Sequence, residues 1–223
     1  YWAKATILAA EENGMSWNYW GFVGVGGFER IFERIWVKTT KEELDTMRYR
    51  SDGKAVGDKL ISVINREPSR TPRQIRQSYV AALRTARREV RIVNPYPTTT
   101  YSVRRAMRRA VKRGVCLKIM VSATSDNRIT PEVVGIQMKK MMKRGAEVYY
   151  YEGGFHHSKL LTADGEYCFV GTANLDGRSL RYDYEVNAAV FSPEVAHAID
   201  SIFESDFEHS QLLTPQNFRK RFS

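Results

Sequence analysis

The sequence predicts an α/β fold: a mixed, mainly parallel sheet flanked by helices. Three observations carry that expectation. From about residue 72 to 151, short apolar strands alternate with amphipathic helical stretches. Gly114 and Gly145 stand where two of those helices should stop. Of 223 residues, 43% are hydrophobic and 12% aromatic, which supplies a core and disfavours disorder. No apolar run reaches the roughly 18 residues that a bilayer-crossing helix needs.

The elements follow in order. All four tryptophans, Trp2, Trp17, Trp20 and Trp36, lie in the first 36 residues. Residues 17–25 read as a strand broken by Gly26-Gly27. Phe28, Ile31, Phe32 and Ile35 then take helical spacing up to Val37. Residues 38–58 are polar and read as a linker, and 60–64 as a short strand. Pro68, Ser69, Thr71 and Pro72 mark a boundary, with Thr71 as N-cap and Pro72 in the first helical position. Ile75, Tyr79, Ala82, Leu83 and Ala86 form the apolar stripe of the next helix. A strand at 90–93, a helix at 102–113, a strand at 115–121, a helix at 131–144 and a strand at 146–151 continue the alternation. Met138, Met141 and Met142 fit the packed side of the 131–144 helix. Three short strands are expected near 157–162, 167–171 and 185–191, and a last helix over about 193–208.

The charge is uneven. The chain carries a net +10, yet residues 66–113 alone hold fourteen Lys and Arg against Glu67 and Glu89, a local net of +12. The remainder nets −2. Such a segment is either two solvated helix faces or the footprint of an anionic partner: nucleic acid, an anionic membrane surface or a phosphorylated substrate. Cys116 and Cys168 match no metal or redox spacing and read as buried, reduced thiols, which suits a cytoplasmic compartment.

The chemistry concentrates in one stretch. His157 and Lys159 stand two apart, so on a strand they project from the same face. A neutral imidazole beside an ammonium suits attack on a phosphodiester, with Lys neutralising the non-bridging oxygens as charge builds. Gly171-Thr172-Ala173-Asn174 closes the next strand. Gly171 lets the backbone come close, and the Asn174 amide can donate to the same oxygens. Glu185, on the strand after that, is placed to hold one imidazole nitrogen. His156 points away from His157 and reads as a wall residue. A zinc site from the two is disfavoured, because adjacent strand residues face opposite ways.

H-x-K-x4-D, here His157, Lys159 and Asp164, followed by G-[S/T]-x-N at 171–174, resembles the signature of the phospholipase D superfamily. Asn174-Leu175-Asp176-Gly177-Arg178-Ser179 and Tyr184-Glu185-Val186-Asn187 are similar to the bacterial cardiolipin synthase pattern. Pro95-Tyr96, 112–115, Ser125-Asp126, and Gly145 before Val148-Tyr149-Tyr150 fall in the order of that family's second half. Pro97 departs from the aromatic residue usual after Pro-Tyr.

The resemblance implies a phospholipase D-like fold and no cofactor or metal. It implies His157 as the nucleophile or the acid for the leaving group, Lys159 and Asn174 gripping phosphate, and Thr172 in place of the usual Ser. Asp164 would be a supporting partner, Glu185 an orienter of imidazole, and Arg178 a substrate-binding residue, unless Asp176 and Arg178 form an ordinary turn ion pair. The implied reaction is phosphatidyl transfer between two phosphatidylglycerols through a phosphohistidine, giving cardiolipin and glycerol. The alternative is a phosphodiesterase of the same superfamily, a phospholipase D or a metal-independent nuclease.

The family site uses two such motifs, and this sequence holds one. Its other histidines, His197 and His209, lie on or beside the last expected helix with no motif around them. Residues 1–65 therefore read as the tail of a preceding half plus linker, and 66–223 as one catalytic half. The second motif would come from that preceding half or from a homodimer partner. The N-terminal tryptophans are expected to pack between halves or to sit at a membrane interface. The implied partners are anionic phospholipid and the membrane surface, with nucleic acid as the lesser expectation. The implied location is the cytoplasmic face of a bacterial inner membrane, peripheral or anchored by a segment outside this sequence.

Overall fold

The computed structural model describes residues 27–43, 59–68, 73–125 and 130–221. The strand expected at 17–25, the cap and turn at Thr71 and Pro72, most of the linker and Asp126 lie outside the described residues. Among those described, the order is α1 (Gly27–Thr40), β1 (Leu60–Arg66), α2 (Gln74–Thr85), β2 (Glu89–Val93), α3 (Tyr101–Lys112), β3 (Cys116–Ser122), α4 (Thr130–Met142), β4 (Glu147–Tyr151), β5 (Leu160–Ala163), β6 (Tyr167–Gly171), β7 (Glu185–Phe191), α5 (Pro193–Glu208), β8 (Ser210–Leu212) and α6 (Pro215–Arg221).

The strands make one sheet in the order β1-β7-β6-β5-β2-β3-β4-β8. It is mostly antiparallel, which corrects the expectation of a mainly parallel sheet. Only β2/β3 and β3/β4 run parallel. The reason lies in the connections. A parallel neighbour needs a crossover long enough to bring the chain back, and α3 and α4 supply just those two. After β4 no helix intervenes until α5. β5 turns directly into β6 through 164–166, and β1, β5, β6, β7 and β8 all pair antiparallel. The strand–helix alternation up to residue 151 is real but describes only half of the sheet.

The main core lies on the face covered by α2, α3 and α4. Ile92 on β2 stands opposite Leu161 on β5, and both are buried with Ile75, Leu83, Met107 and Met138. Tyr79 packs edge-on to Phe169 at 4.9 Å between ring centres. The Arg113 guanidinium donates to the carbonyls of Leu83 (2.8 Å) and Ala86 (3.2 Å), tying the end of α3 to the end of α2. The other face packs on α5, whose Phe203 is buried against Val93 and Met120. The N-cap of α5 is Ser192, whose hydroxyl accepts from Val195 N–H. Cys168 is buried against Ala188 and Ala196, and burial pushes its thiol up to about 12. Cys116 is only half-buried, a correction that follows from its outward place on β3. β8 and α6 were not expected. Three residues are too few to show a period, yet Leu213 and Phe218 beside them are buried in the core.

Asp164 occupies the left-handed region (φ 56°) at the β5–β6 turn. Its carboxylate accepts from the backbone N–H groups of Arg87 (2.8 Å), Arg88 (2.8 Å) and Glu89 (3.0 Å). Burial works against its charge, but these three donors prevail and hold the carboxyl below its usual range. The turn is thereby clamped to the start of β2. Asp164→Ala is expected to lower unfolding free energy by about 2–3 kcal/mol near neutral pH. The stabilisation is present above the unfolded value of about 3.9 and lost as pH falls through the lower folded value. Urea titrations of both proteins at neutral and acid pH measure it; a gap that does not shrink in acid sinks the assignment.

Candidate active site

The parallel strands deliver the ends of β2, β3 and β4 to one edge of the sheet. Antiparallel pairing brings the start of β5, the end of β6 and the start of β7 to the same edge, since Val93 faces Leu160 and Gly171 faces both Val186's neighbour Asn187 and the segment before β5. His157, Lys159, Thr172, Asn174 and Glu185 all lie on that edge.

His157 and Lys159 belong to the extended approach to β5 rather than to the strand itself. Pairing continues one residue beyond the strand, because Gly171 N–H donates to the Lys159 carbonyl at 3.2 Å. Lys159 is buried and its ammonium donates to the His157 carbonyl at 2.6 Å. His157 is exposed. Its ring lies 5.1 Å from that of Phe155 and 6.2 Å, edge-on, from that of Tyr96. An open imidazole above a buried ammonium is a usable pair: the first can reach a substrate, and the second acts from a region of low dielectric.

The cross-strand row Lys159–Gly171–Asn187 explains Gly171. Asn187 is fully buried, and a Cβ on Gly171 would lie 2.1 Å from its Cγ. The Asn187 amide fills the space that any other residue at 171 would need.

Thr172 donates its hydroxyl hydrogen to Glu185 Oε2 and accepts from Val186 N–H at 3.0 Å. Burial raises the Glu185 carboxyl above its usual range. The Thr172 and Ser179 hydroxyls oppose the rise, while the carboxylates of Asp183 and Asp176 add to it. Asn174 is half-buried, and its Oδ1 is buried with no hydrogen-bond partner. Carbonyl and amino ends of an amide exchange by rotation, so this position can present either to a ligand.

Two predicted site residues stand apart. Asp164 lies five residues beyond Lys159, about 16 Å along an extended chain, at the opposite end of β5, where it holds the turn. Arg178 is exposed and pairs with Asp183 at 2.9 Å. No Asp176–Arg178 ion pair forms. Asp176 Oδ1 instead accepts from the N–H groups of Arg178 (2.8 Å) and Ser179 (2.7 Å), capping the turn. His156 faces α5, with Nε2 2.8 Å from Asp206 Oδ2 and its ring edge-on to Tyr151.

Asn94 follows directly on the end of β2. It is fully buried, and its Oδ1 accepts from Tyr96 N–H (3.1 Å) and Leu175 N–H (3.0 Å) while Nδ2 reaches the Ala173 carbonyl (3.4 Å). It thus pins the segment that carries Asn174 to the end of β2. Asn before Pro at a strand end is a turn signal that could have drawn notice to it. A groove of about 810 Å³ lies elsewhere, at the opposite edge, lined by Ser78, Thr85, Asp164, Tyr167 and Phe191. Of the candidate residues it holds Asp164 alone.

Residues 79–207 match the family described as "Cardiolipin synthase, PLD-like domain". The chain is 29% identical to the cardiolipin synthase of Geobacillus kaustophilus over 193 residues, 86% of this chain and 38% of that protein. Against the probable cardiolipin synthase of Bacillus subtilis it is 29% identical over 192 residues, again 86% and 38%. The chain therefore spans about two fifths of these relatives' length. Its fold is similar to that of the phospholipase D family member Nuc of Salmonella typhimurium, with a TM-score of 0.60 and 16% identity, covering 70% of this chain and 99% of that one.

Two outcomes follow from this geometry. Glu185→Gln is expected to raise the melting temperature at pH 7–8, because a carboxyl with a raised folded pKa costs stability when ionised. The gain should vanish below about pH 4, where the native residue is protonated in both states; calorimetry across that range would show a constant gap if the assignment is wrong. Gly171→Ala should cost about 1–3 kcal/mol through overpacking, with part regained in the Gly171→Ala/Asn187→Ala double variant. Denaturant titration of the set that shows no recovery removes the close-approach explanation.

Proposed function

This chain belongs to the cardiolipin synthase, PLD-like domain family of the phospholipase D superfamily, and we propose that it supplies one catalytic half of a phosphatidyltransferase making cardiolipin and glycerol from two phosphatidylglycerols. The supporting observation is the gathering of His157, Lys159, Thr172, Asn174 and Glu185 at one sheet edge inside the family-matching segment.

In this reading, one imidazole nitrogen attacks the phosphorus of the first phosphatidylglycerol. The bond from phosphorus to the head-group glycerol oxygen breaks, and that oxygen takes a proton from a second imidazole as glycerol leaves. A hydroxyl of the second phosphatidylglycerol then attacks the phosphohistidine. Its proton passes to the second imidazole, the P–N bond breaks and cardiolipin forms. His157 fills one of the two imidazole roles, and the other motif comes from a preceding half or a homodimer partner. Lys159 and Asn174 hold the non-bridging oxygens, with Thr172 beside them, where removing one such donor typically costs on the order of 100-fold or more. Glu185 orients an imidazole, and exposed Arg178 meets the head group at the rim. Asp164 serves through the β5–β6 turn, as a positioning residue.

Residues 66–223 form this half, and residues 1–65 the tail of a preceding half plus linker, with β1 completing the sheet. The reading places the site at the cytoplasmic face of a bacterial inner membrane. No helix among the described residues is long and apolar enough to cross it.

The test is full-length protein with head-group-labelled phosphatidylglycerol. Cardiolipin and glycerol should appear in equal amounts, and His157→Ala should lower turnover by at least about 1,000-fold. Phosphatidic acid without cardiolipin would make the protein a hydrolase, and turnover unchanged in His157→Ala would remove the catalytic reading altogether.

A further inference from the structure

The two faces of the sheet carry opposite charge. Helices α2, α3 and α4, on one face, hold nine Lys and Arg against a single acid, Glu132. Helix α5, on the other, holds five acids and no Lys or Arg. The acids of α5 are partly answered: Asp200 and Glu204 meet Arg91 at 3.7 and 2.6 Å, and Asp206 meets His156. The cations of α3 are not. Among the described residues Arg105, Arg108, Arg109 and Lys112 form no ion pair.

The α3 cations are arranged as a stripe. Val103, Ala106, Met107 and Ala110 bury one side of the helix, so Arg105, Arg109 and Lys112 share the exposed side with Tyr101. On α4, Val134, Met138 and Met141 face the core and leave Lys139 and Lys140 exposed. Apolar side chains are exposed with them: Tyr101 is 62% exposed, Val133 42% and Ile136 56%. Their positions are ordered. Both helices start at the candidate active-site edge, because each follows the end of a parallel strand. Tyr101, Val133 and Ile136 therefore lie toward that edge, and Lys112, Lys139 and Lys140 away from it.

We infer that the α2–α3–α4 layer is the surface by which the protein docks on an anionic bilayer, cations on the lipid phosphates and the exposed apolar side chains in the interface. The inference deepens the proposed function and rests on it for the choice of lipid over other polyanions. Cations adjoining exposed apolar residues on one helical layer fit a membrane interface, where both kinds of contact are used. The acidic α5 face is repelled by the same surface. The two together fix an orientation with α5 away from lipid.

The experiment is cosedimentation of the full-length protein with vesicles of equal parts phosphatidylglycerol and phosphatidylcholine, and with phosphatidylcholine alone. The variant is Arg105→Gln/Arg109→Gln/Lys112→Gln/Lys140→Gln, with Glu208→Gln on α5 as the control. Turnover of a short-chain, monomeric phosphatidylglycerol is followed in parallel. Binding should require the anionic lipid, weaken with salt, and fall by at least about 100-fold in the variant, with monomer turnover and the control unchanged. Vesicle binding that survives the four substitutions overturns the inference. So does monomer turnover lost alongside it, which would put these residues in the fold or the site. Tighter binding to single-stranded DNA than to vesicles, lost in the same variant, would replace the bilayer with nucleic acid. Anionic-vesicle binding lost in the variant, from a wild type that makes no product from phosphatidylglycerol, would refute the proposed reaction while leaving the docking surface intact.

Discussion

Asn94 lies fully buried where β2 ends, and its side chain bonds the backbone at Tyr96, Ala173 and Leu175. That cluster joins two kinds of sheet. On one side of β2 the strands run parallel through β3 and β4; on the other they run antiparallel through β5, β6 and β7. The strand ends next to His157, Lys159, Thr172, Asn174 and Glu185 meet there. A buried polar side chain is stable only when its bonds are made, so the segment bearing Asn174 has one low-energy seat on β2, and the loop bearing Tyr96 shares it.

From that join the site's electrostatics follow. Lys159 is buried next to the join, across Gly171 from Asn187, and Glu185 is half-buried two residues from Asn187 on β7. Each ionised group taken from water carries a desolvation cost. Here the cost is offset for Lys159 by the His157 carbonyl and for Glu185 by the Thr172 and Ser179 hydroxyls. The same burial that lifts the Glu185 carboxyl strengthens any interaction Lys159 makes with a phosphate. Stability is given up where chemistry needs low dielectric, while Asp164, at the far end of β5, contributes stability through its three backbone bonds.

The molecule's larger charge pattern has the same origin. α2, α3 and α4 cover the sheet face built from Val90, Ile92 and Leu161, and their outer sides are basic. α5 covers the face that carries Arg91 and Lys118 and answers Arg91 with carboxylates. The acids of α5 thus accommodate the inward-facing Arg91 of β2, while Lys118 of β3 is met by Glu89.

The sequence by itself determined much of the molecule: most helices, most strands and the +12 segment. These are local properties, set by periods of 3.6 and 2 and by residue chemistry. Sheet direction, the true place of Asp164, the Arg178–Asp183 pair and the role of Asn94 were decided by tertiary structure alone. Each depends on which strand lies beside which, and that is a contact between residues distant in the chain. Asp164 shows the difference well. Its spacing from Lys159 places it within one motif, but a four-residue strand between them carries it to the other end of the sheet, where its partners, the N–H groups of 87–89, are some 75 residues away in sequence.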